Sequence, residues 1–186
     1  LLFKRNDCID WCTNFIFMAN NEPLFRKIHN YLFRSHIIKG NVIDLGAYIG
    51  DNTIPWAKLN SNLTFYAIDP SQDNCEWIKI ISKYNNIINI KTIKTAIGDK
   101  DEYLYTDDNI SHCSFVWNNK LKSQKVKATS LDKLYKKGII KDIGYIHLDV
   151  EGMEYNVLIG ANELINNTRP IITFETHSIA EKMQLE

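Results

Sequence analysis

The sequence predicts an open α/β fold, a mostly parallel sheet with helices on both faces. Three observations predict it. Short apolar runs that read as strands alternate with stretches whose apolar residues recur at helical spacing. The first run, Val42-Ile43-Asp44-Leu45, leads into the loop Gly46-Ala47-Tyr48-Ile49-Gly50, just ahead of a helix start at Asn52-Thr53. The second run ends in Asp69-Pro70, an acid held at a strand tip by a residue that stops the strand.

The elements follow in order. Residues 7–19 are apolar enough for a helix. Residues 22–36 read as another, because Pro23 suits a first turn and Leu24, Ile28, Tyr31 and Leu32 recur at helical spacing. Residues 1–40 are thus expected to form a helical segment beside the ligand site, and residues 41–186 the sheet domain. Strand 42–45 precedes helix 52–59, and strand 63–68 precedes helix 73–84, where Trp77, Ile80, Ile81 and Tyr84 share an apolar face. Strand 89–97 comes next. Short extra strands at 102–106 and 125–129 flank a polar loop, and helix 130–137 starts after Thr129-Ser130. Strand 144–149 leads to helix 153–165, and strand 170–175 follows.

The glycine loop sits where an open α/β fold binds nucleotide-like ligands, at the carboxyl end of the first strand. Asn52 and Thr53 are residue types that cap a helix, whose free N–H groups attract an anion. The spacing Asp44-x-Gly46-x-x-x-Gly50 lacks the glycine that a G-x-G-x-x-G dinucleotide fingerprint needs two residues after its first. It favours S-adenosylmethionine over NAD. Asp69 lies 19 residues beyond Gly50, about where such folds place the carboxylate that binds ribose hydroxyls. The plainer reading of Asp69 is a surface acid in a turn.

Charge balances to zero and the sequence pI is about 7.1, which argues against a dedicated nucleic-acid binder. One local exception is a lysine cluster, Lys120, Lys122, Lys125, Lys127, Lys133, Lys136, Lys137 and Lys141, with Asp132 among them. It reads as a solvated face or as a surface that attracts an anionic acceptor. No apolar run is long enough for a membrane span. Cys8, Cys12, Cys75 and Cys113 form no CxxC pair, so reduced thiols and a cytoplasmic location are expected. Residue 1 is Leu, and the chain is expected to be a piece of a longer protein, attached to further domains.

The third block, Gly144-Tyr145-Ile146-His147-Leu148-Asp149-Val150-Glu151-Gly152-Met153-Glu154, runs from a strand into a helix. Asn156-Val157-Leu158-Ile159-Gly160-Ala161 and Arg169-Pro170-Ile171-Ile172-Thr173-Phe174-Glu175 follow it. With Asp44-Leu45-Gly46-Ala47, Asp69-Pro70, Ala96-Ile97-Gly98-Asp99 and Leu131-Asp132, these blocks resemble the FkbM family of S-adenosylmethionine-dependent O-methyltransferases, in order over residues 41–177. Two positions depart from the family pattern. Tyr48 stands where Asn is usual, and His147 where Lys is usual.

The resemblance implies a Rossmann-like class I methyltransferase fold. That sheet ordinarily continues beyond Phe174-Glu175; eleven residues remain here, so its last strands are expected to be truncated. It also implies methyl transfer to a sugar hydroxyl, with a glycan or another small-molecule hydroxyl as acceptor. A binding module without catalysis is the competing reading. Asp44, Gly46, Ala47, Tyr48, Gly50, Asn52, Thr53, Asp69, Pro70 and Ser71 are the expected cofactor contacts. Ala96 and Ile97 are expected to flank the adenine, with Asp99 reaching its amine. Asp149 is the first candidate at the reacting centre, as base or as the residue that orients one. His147 is the second, because imidazole titrates near neutrality, and it reads equally as a hydrogen-bonded core histidine. Glu151 and His177 complete the catalytic candidates. Glu151 also reads as an acid favoured at a helix start. A divalent ion fits the chemistry, and Asp149 with Glu151 can supply oxygen ligands, but two acids are too few to define a site.

Overall fold

The computed structural model describes residues 23–106, 115–116, 124–150 and 152–174. The expectations for helix 7–19, Glu151, Glu175 and His177 lie outside these residues. Helix α1 (Pro23–Arg34) comes first. Strand β1 (Asn41–Leu45), helix α2 (Thr53–Leu59), strand β2 (Phe65–Asp69), helix α3 (Gln72–Tyr84) and strand β3 (Ile90–Lys94) follow. Then come β4 (Ala96–Ile97), β5 (Glu102–Thr106), β6 (Phe115–Val116) and β7 (Gln124–Thr129). Helix α4 (Leu131–Lys136), β8 (Ile143–Leu148), α5 (Glu154–Ile159), α6 (Asn162–Thr168) and β9 (Ile171–Phe174) complete the order.

The main sheet is five-stranded and parallel, in the order β3-β2-β1-β8-β9. Side chains alternate across a strand, so each strand feeds two cores. Ile43, Leu45, Tyr66, Ile68, Ile146 and Leu148 face α4, α5 and α6 through Leu131, Leu134, Val157 and Leu164. Val42, Phe65 and Tyr145 face the other way, against Phe33 of α1, Ile54 and Trp56 of α2 and Ile81 of α3. Burying a side chain such as Val157 or Leu164 contributes roughly 1.5–3 kcal/mol, which makes these two layers the main source of stability.

A second sheet, β4-β7-β5-β6, mixes one parallel pairing with antiparallel ones. Its inner residues Ala96, Leu104, Val126 and Ala128 pack on Met153. This divides the strand expected over 89–97. β3 pairs with β2 as far as Lys94, and after Thr95 the chain pairs with β7. β2 ends at Asp69, so beyond that point the main sheet offers no partner.

Helix 153–165 is also divided, at Gly160-Ala161. A Cβ on Gly160 would lie 2.1 Å from the Gly98 carbonyl oxygen, so the helix bends where it meets that backbone. The Asp132 carboxylate accepts from the Glu163 and Leu164 N–H groups at 3.0 and 2.8 Å. It thereby caps the first turn of α6.

Candidate functional site

The order of the main sheet reverses at β1, with β2 on one side and β8 on the other. Open α/β folds bind ligands in the crevice at the carboxyl ends flanking such a switch point. The chain stitches these three ends together. Gly46 and Ala47 donate to the Ile68 carbonyl at 3.0 and 3.2 Å, and Asp149 donates to the Leu45 carbonyl at 3.0 Å. Gly46 adopts φ +73°, and a Cβ there would sit 1.7 Å from the Asp149 carbonyl oxygen. The glycine loop and the turn after β8 therefore touch only because residue 46 has no side chain.

Tyr48 is left-handed too, at φ +48°. That conformation costs an ordinary residue about 1–2 kcal/mol, whereas the Asn usual here tolerates it. The loop is held by Asp69, which is only 4% exposed. Its carboxylate accepts from the Tyr48 N–H at 2.9 Å, the Ser71 N–H at 2.8 Å and the Asn74 amide at 3.1 Å. Burial pushes its pKa up to about 6, against the pull of these three donors. A carboxylate offers about four lone-pair sites, so one stays available to a ligand hydroxyl. Ser71 caps α3 by accepting from the Asn74 N–H at 3.3 Å, after Pro70 has ended the strand.

Asp44 lies beneath the loop, fully enclosed. The Thr53 hydroxyl donates to it. Burial is the main reason its pKa rises to about 8, and Asp51, Asp149 and Asp69 add to the rise. A cation placed among these acids would favour the ionised form again. Asn52 makes no side-chain cap bond, and α2 spans seven residues. The helix-start expectation is corrected accordingly: Thr53 serves Asp44, and the short helix offers no anion site of its own. Among the described residues the buried Asn52 Oδ1 has no hydrogen-bond partner, whereas the Asp99 carboxyl group shares a hydrogen bond with that of Glu102 and lies 3.6 Å from Lys100 Nζ. Ala96 and Ile97 are buried in two different cores. β4 is an edge strand, so any reading of a ligand there falls to its backbone.

The sequence matches the methyltransferase FkbM domain over residues 44–185. The chain belongs to the FkbM methyltransferase family. Among solved structures, it is similar to the FkbM methyltransferase of Methylobacillus flagellatus KT, with a TM-score of 0.58 and 18% identity. That match covers 79% of this chain and 36% of the other, so the chain spans about a third of the length of that relative. The likeness shows a shared fold. A precorrin-6y C5,15-methyltransferase from Geobacter metallireducens GS-15 matches more loosely, at a TM-score of 0.49 and 9% identity, over 85% of this chain and 66% of the other. A coclaurine N-methyltransferase, bound to N-methylheliamine and SAH, matches at a TM-score of 0.34 and 26% identity over 38% of this chain and 21% of the other. No curated protein matches the sequence significantly.

Asp149 follows directly on β8 and is half-buried, its backbone against the glycine loop at Gly46. Behind it, Glu154 accepts from the Val150 and Gly152 N–H groups at 3.4 and 3.3 Å and braces the turn. Asn74 was not singled out from the sequence, and neither were the bonds that Thr53 and Glu154 make. Their roles depend on partners that only the folded chain brings within reach. Among the described residues, no group of three or more His, Cys, Asp or Glu side chains is placed to hold a metal ion. Among them, too, no helix is long and apolar enough to cross a membrane.

His147 lies in the interior, within β8. Register places it beside Asp44 and Thr173 in neighbouring strands. It lies 1% exposed, edge-on to Trp56 at 5.6 Å and to His29 at 5.9 Å, with Nδ1 3.2 Å from the Thr173 hydroxyl. Burial, helped by His29, pushes its pKa down to about 3, so it stays neutral near physiological pH. His29 in turn stacks on Trp56 at 4.6 Å and hydrogen-bonds the Tyr145 hydroxyl. This aromatic box anchors α1. His147→Gln is expected to keep turnover within about threefold, with no inflection near pH 6–7, and to lower stability by roughly 1–2 kcal/mol. Rate–pH profiles and thermal unfolding of the variant check both halves.

Proposed function

We propose that this chain is an S-adenosylmethionine-dependent O-methyltransferase acting on a hydroxyl of a sugar or glycoconjugate. The observation that carries the cofactor reading is the Asp69 carboxylate, which holds the glycine loop at the carboxyl ends of β1 and β2. Asp69 keeps one lone-pair site for a ribose hydroxyl, and among the described residues Asn52 Oδ1 is a buried acceptor without a donor. Asp51, Asp69 and Asp149 lie near enough to Asp44 to add to the rise that burial causes in its pKa, and a cationic ligand among them would relieve that repulsion. The cofactor would supply an electrophilic methyl group on a sulfonium. The chain's part is to position and to move a proton. The Gly46–Gly50 loop admits the ligand close to the backbone, Asp69 takes the ribose, and Asp99 takes the adenine amine. Asp149 accepts the proton of the attacking hydroxyl or orients the group that does. The sugar acceptor rests on the family likeness of the sequence blocks.

Calorimetry with S-adenosylmethionine and with NAD, then labelled methyl transfer to a panel of sugars, tests the proposal. Saturable binding of the first with labelled sugar product is expected. NAD binding alone would overturn the cofactor reading, and cofactor binding without transfer to any hydroxyl would leave a binding module.

Asp69→Ala is expected to weaken cofactor affinity roughly ten- to a hundredfold, the value of a hydrogen bond to a charged group. It should also lower the melting temperature, because three donors lose their acceptor. Affinity of the unaltered chain should fall as pH drops below about 6, where Asp69 takes up its proton. Unchanged affinity in the variant would remove Asp69 from the site.

A further inference from the structure

The second sheet divides the lysine cluster seen in the sequence. Lys133 is engaged by Asp101, and Lys136 by Glu163 at 2.6 Å. Lys125 and Lys127 stand on β7 instead, paired in register with Tyr105 and Tyr103 of β5. Directly opposed residues in an antiparallel pair share a face, so the two lysines and two tyrosines form one surface. The reverse face carries Leu104, Val126 and Ala128 and is buried on Met153. The outer face is open: Tyr103 is 54% exposed, and both lysines are exposed. Lys125 Nζ lies 3.9 Å from the centre of the Tyr103 ring, which holds a cation against an aromatic face. Among the described residues, the carboxylate at the end of this face is Asp101, already bridged to Lys133.

We propose that this face of the β5–β7 hairpin is a docking surface for an acidic carbohydrate chain. Tyrosine rings offer flat apolar faces with polar tips, suited to the C–H faces and hydroxyls of sugars. The two ammonium groups supply the complement to carboxylate or sulfate. A nucleic acid fits less well, because its affinity comes from a run of phosphate contacts and this face offers two ammonium groups. A protein partner fits less well, because lysine is depleted at interface cores. The surface needs no cofactor, so it stands or falls apart from the methyl-transfer reading.

The test is calorimetry without cofactor, using a heparin-derived oligosaccharide, a uronic-acid oligosaccharide, a neutral dextran fragment and a single-stranded DNA of matched charge. Saturable binding of at least one acidic sugar is expected, weakened by salt, with dextran and DNA roughly tenfold weaker or more. Replacing Lys125 and Lys127 together by Glu should weaken that binding by roughly tenfold or more, and Tyr103→Ala by roughly threefold at unchanged charge. Both variants alter exposed side chains, and an unchanged melting temperature would show that the rest of the domain is intact. Equal binding by the Glu variant, equal binding of DNA, or no binding of either acidic sugar overturns the proposal.

Discussion

Gly46→Ala is expected to prevent stable folding of the domain. The added Cβ would meet the Asp149 carbonyl oxygen at 1.7 Å, and the carbonyl carbon behind it at 2.8 Å. Both are backbone atoms, and that backbone is tied to β1 by the Asp149 N–H to Leu45 carbonyl bond. Relief therefore requires separating β1 from the end of β8 at the centre of the sheet. The left-handed φ of +73° adds about 1–2 kcal/mol for any residue with a side chain. A total above roughly 4 kcal/mol is expected, a large part of the 5–15 kcal/mol that stabilises ordinary domains. Gly138 is the control. It has φ +66° with nothing within 4 Å of its would-be Cβ, so Gly138→Ala isolates the backbone cost. Thermal unfolding should show Gly138→Ala lower by a few degrees, at roughly 2–4 °C per kcal/mol. Gly46→Ala should be unfolded or recovered only as aggregate. Equal melting temperatures for the two variants would show that the Gly46–Asp149 approach is not needed.

Asp149→Asn is expected to lower turnover by roughly 10²-fold or more, the scale of losing a general base or its orienting partner. The residue sits half-buried at the end of β8, its backbone against the glycine loop. The amide keeps the shape and removes the charge. The backbone N–H of residue 149 still bonds Leu45, so the fold should survive. Cofactor affinity should move only a few-fold. Single-turnover methyl transfer, measured beside calorimetry, separates the two effects. A turnover within about threefold of the unaltered chain would make Asp149 structural. His147 would not take its place, because its ring is closed in by Trp56, His29 and Thr173.

Much of the layout was legible along the chain, because its signals are local. A parallel strand buried on both faces reads as an apolar run, as in Val42–Leu45 and Phe65–Ile68. A glycine loop and an acid-proline tip are patterns of a few neighbouring residues, enough to put Gly46 and Asp69 at strand ends. Helix α3 emerged one residue from its expected start, since its periodicity and its Ser71 cap lie within one stretch.

What the tertiary structure decided is long-range. Whether residues 89–97 make one strand depends on where β2 stops and on β7, about 30 positions away. The break at Gly160 depends on the Gly98 backbone, and the cap of α6 on Asp132, 32 positions before Leu164. Asp69 showed itself an acid in the sequence, but not as the brace for Tyr48, Ser71 and Asn74. His147 and Asp149 share strand parity, yet β8 ends at Leu148, so the first is sealed in the interior while the second, in the turn beyond, stays half-exposed. Parity and spacing are properties of a segment. Burial, and with it the ionisation of His147 and Asp44, is set by what other segments pack against it.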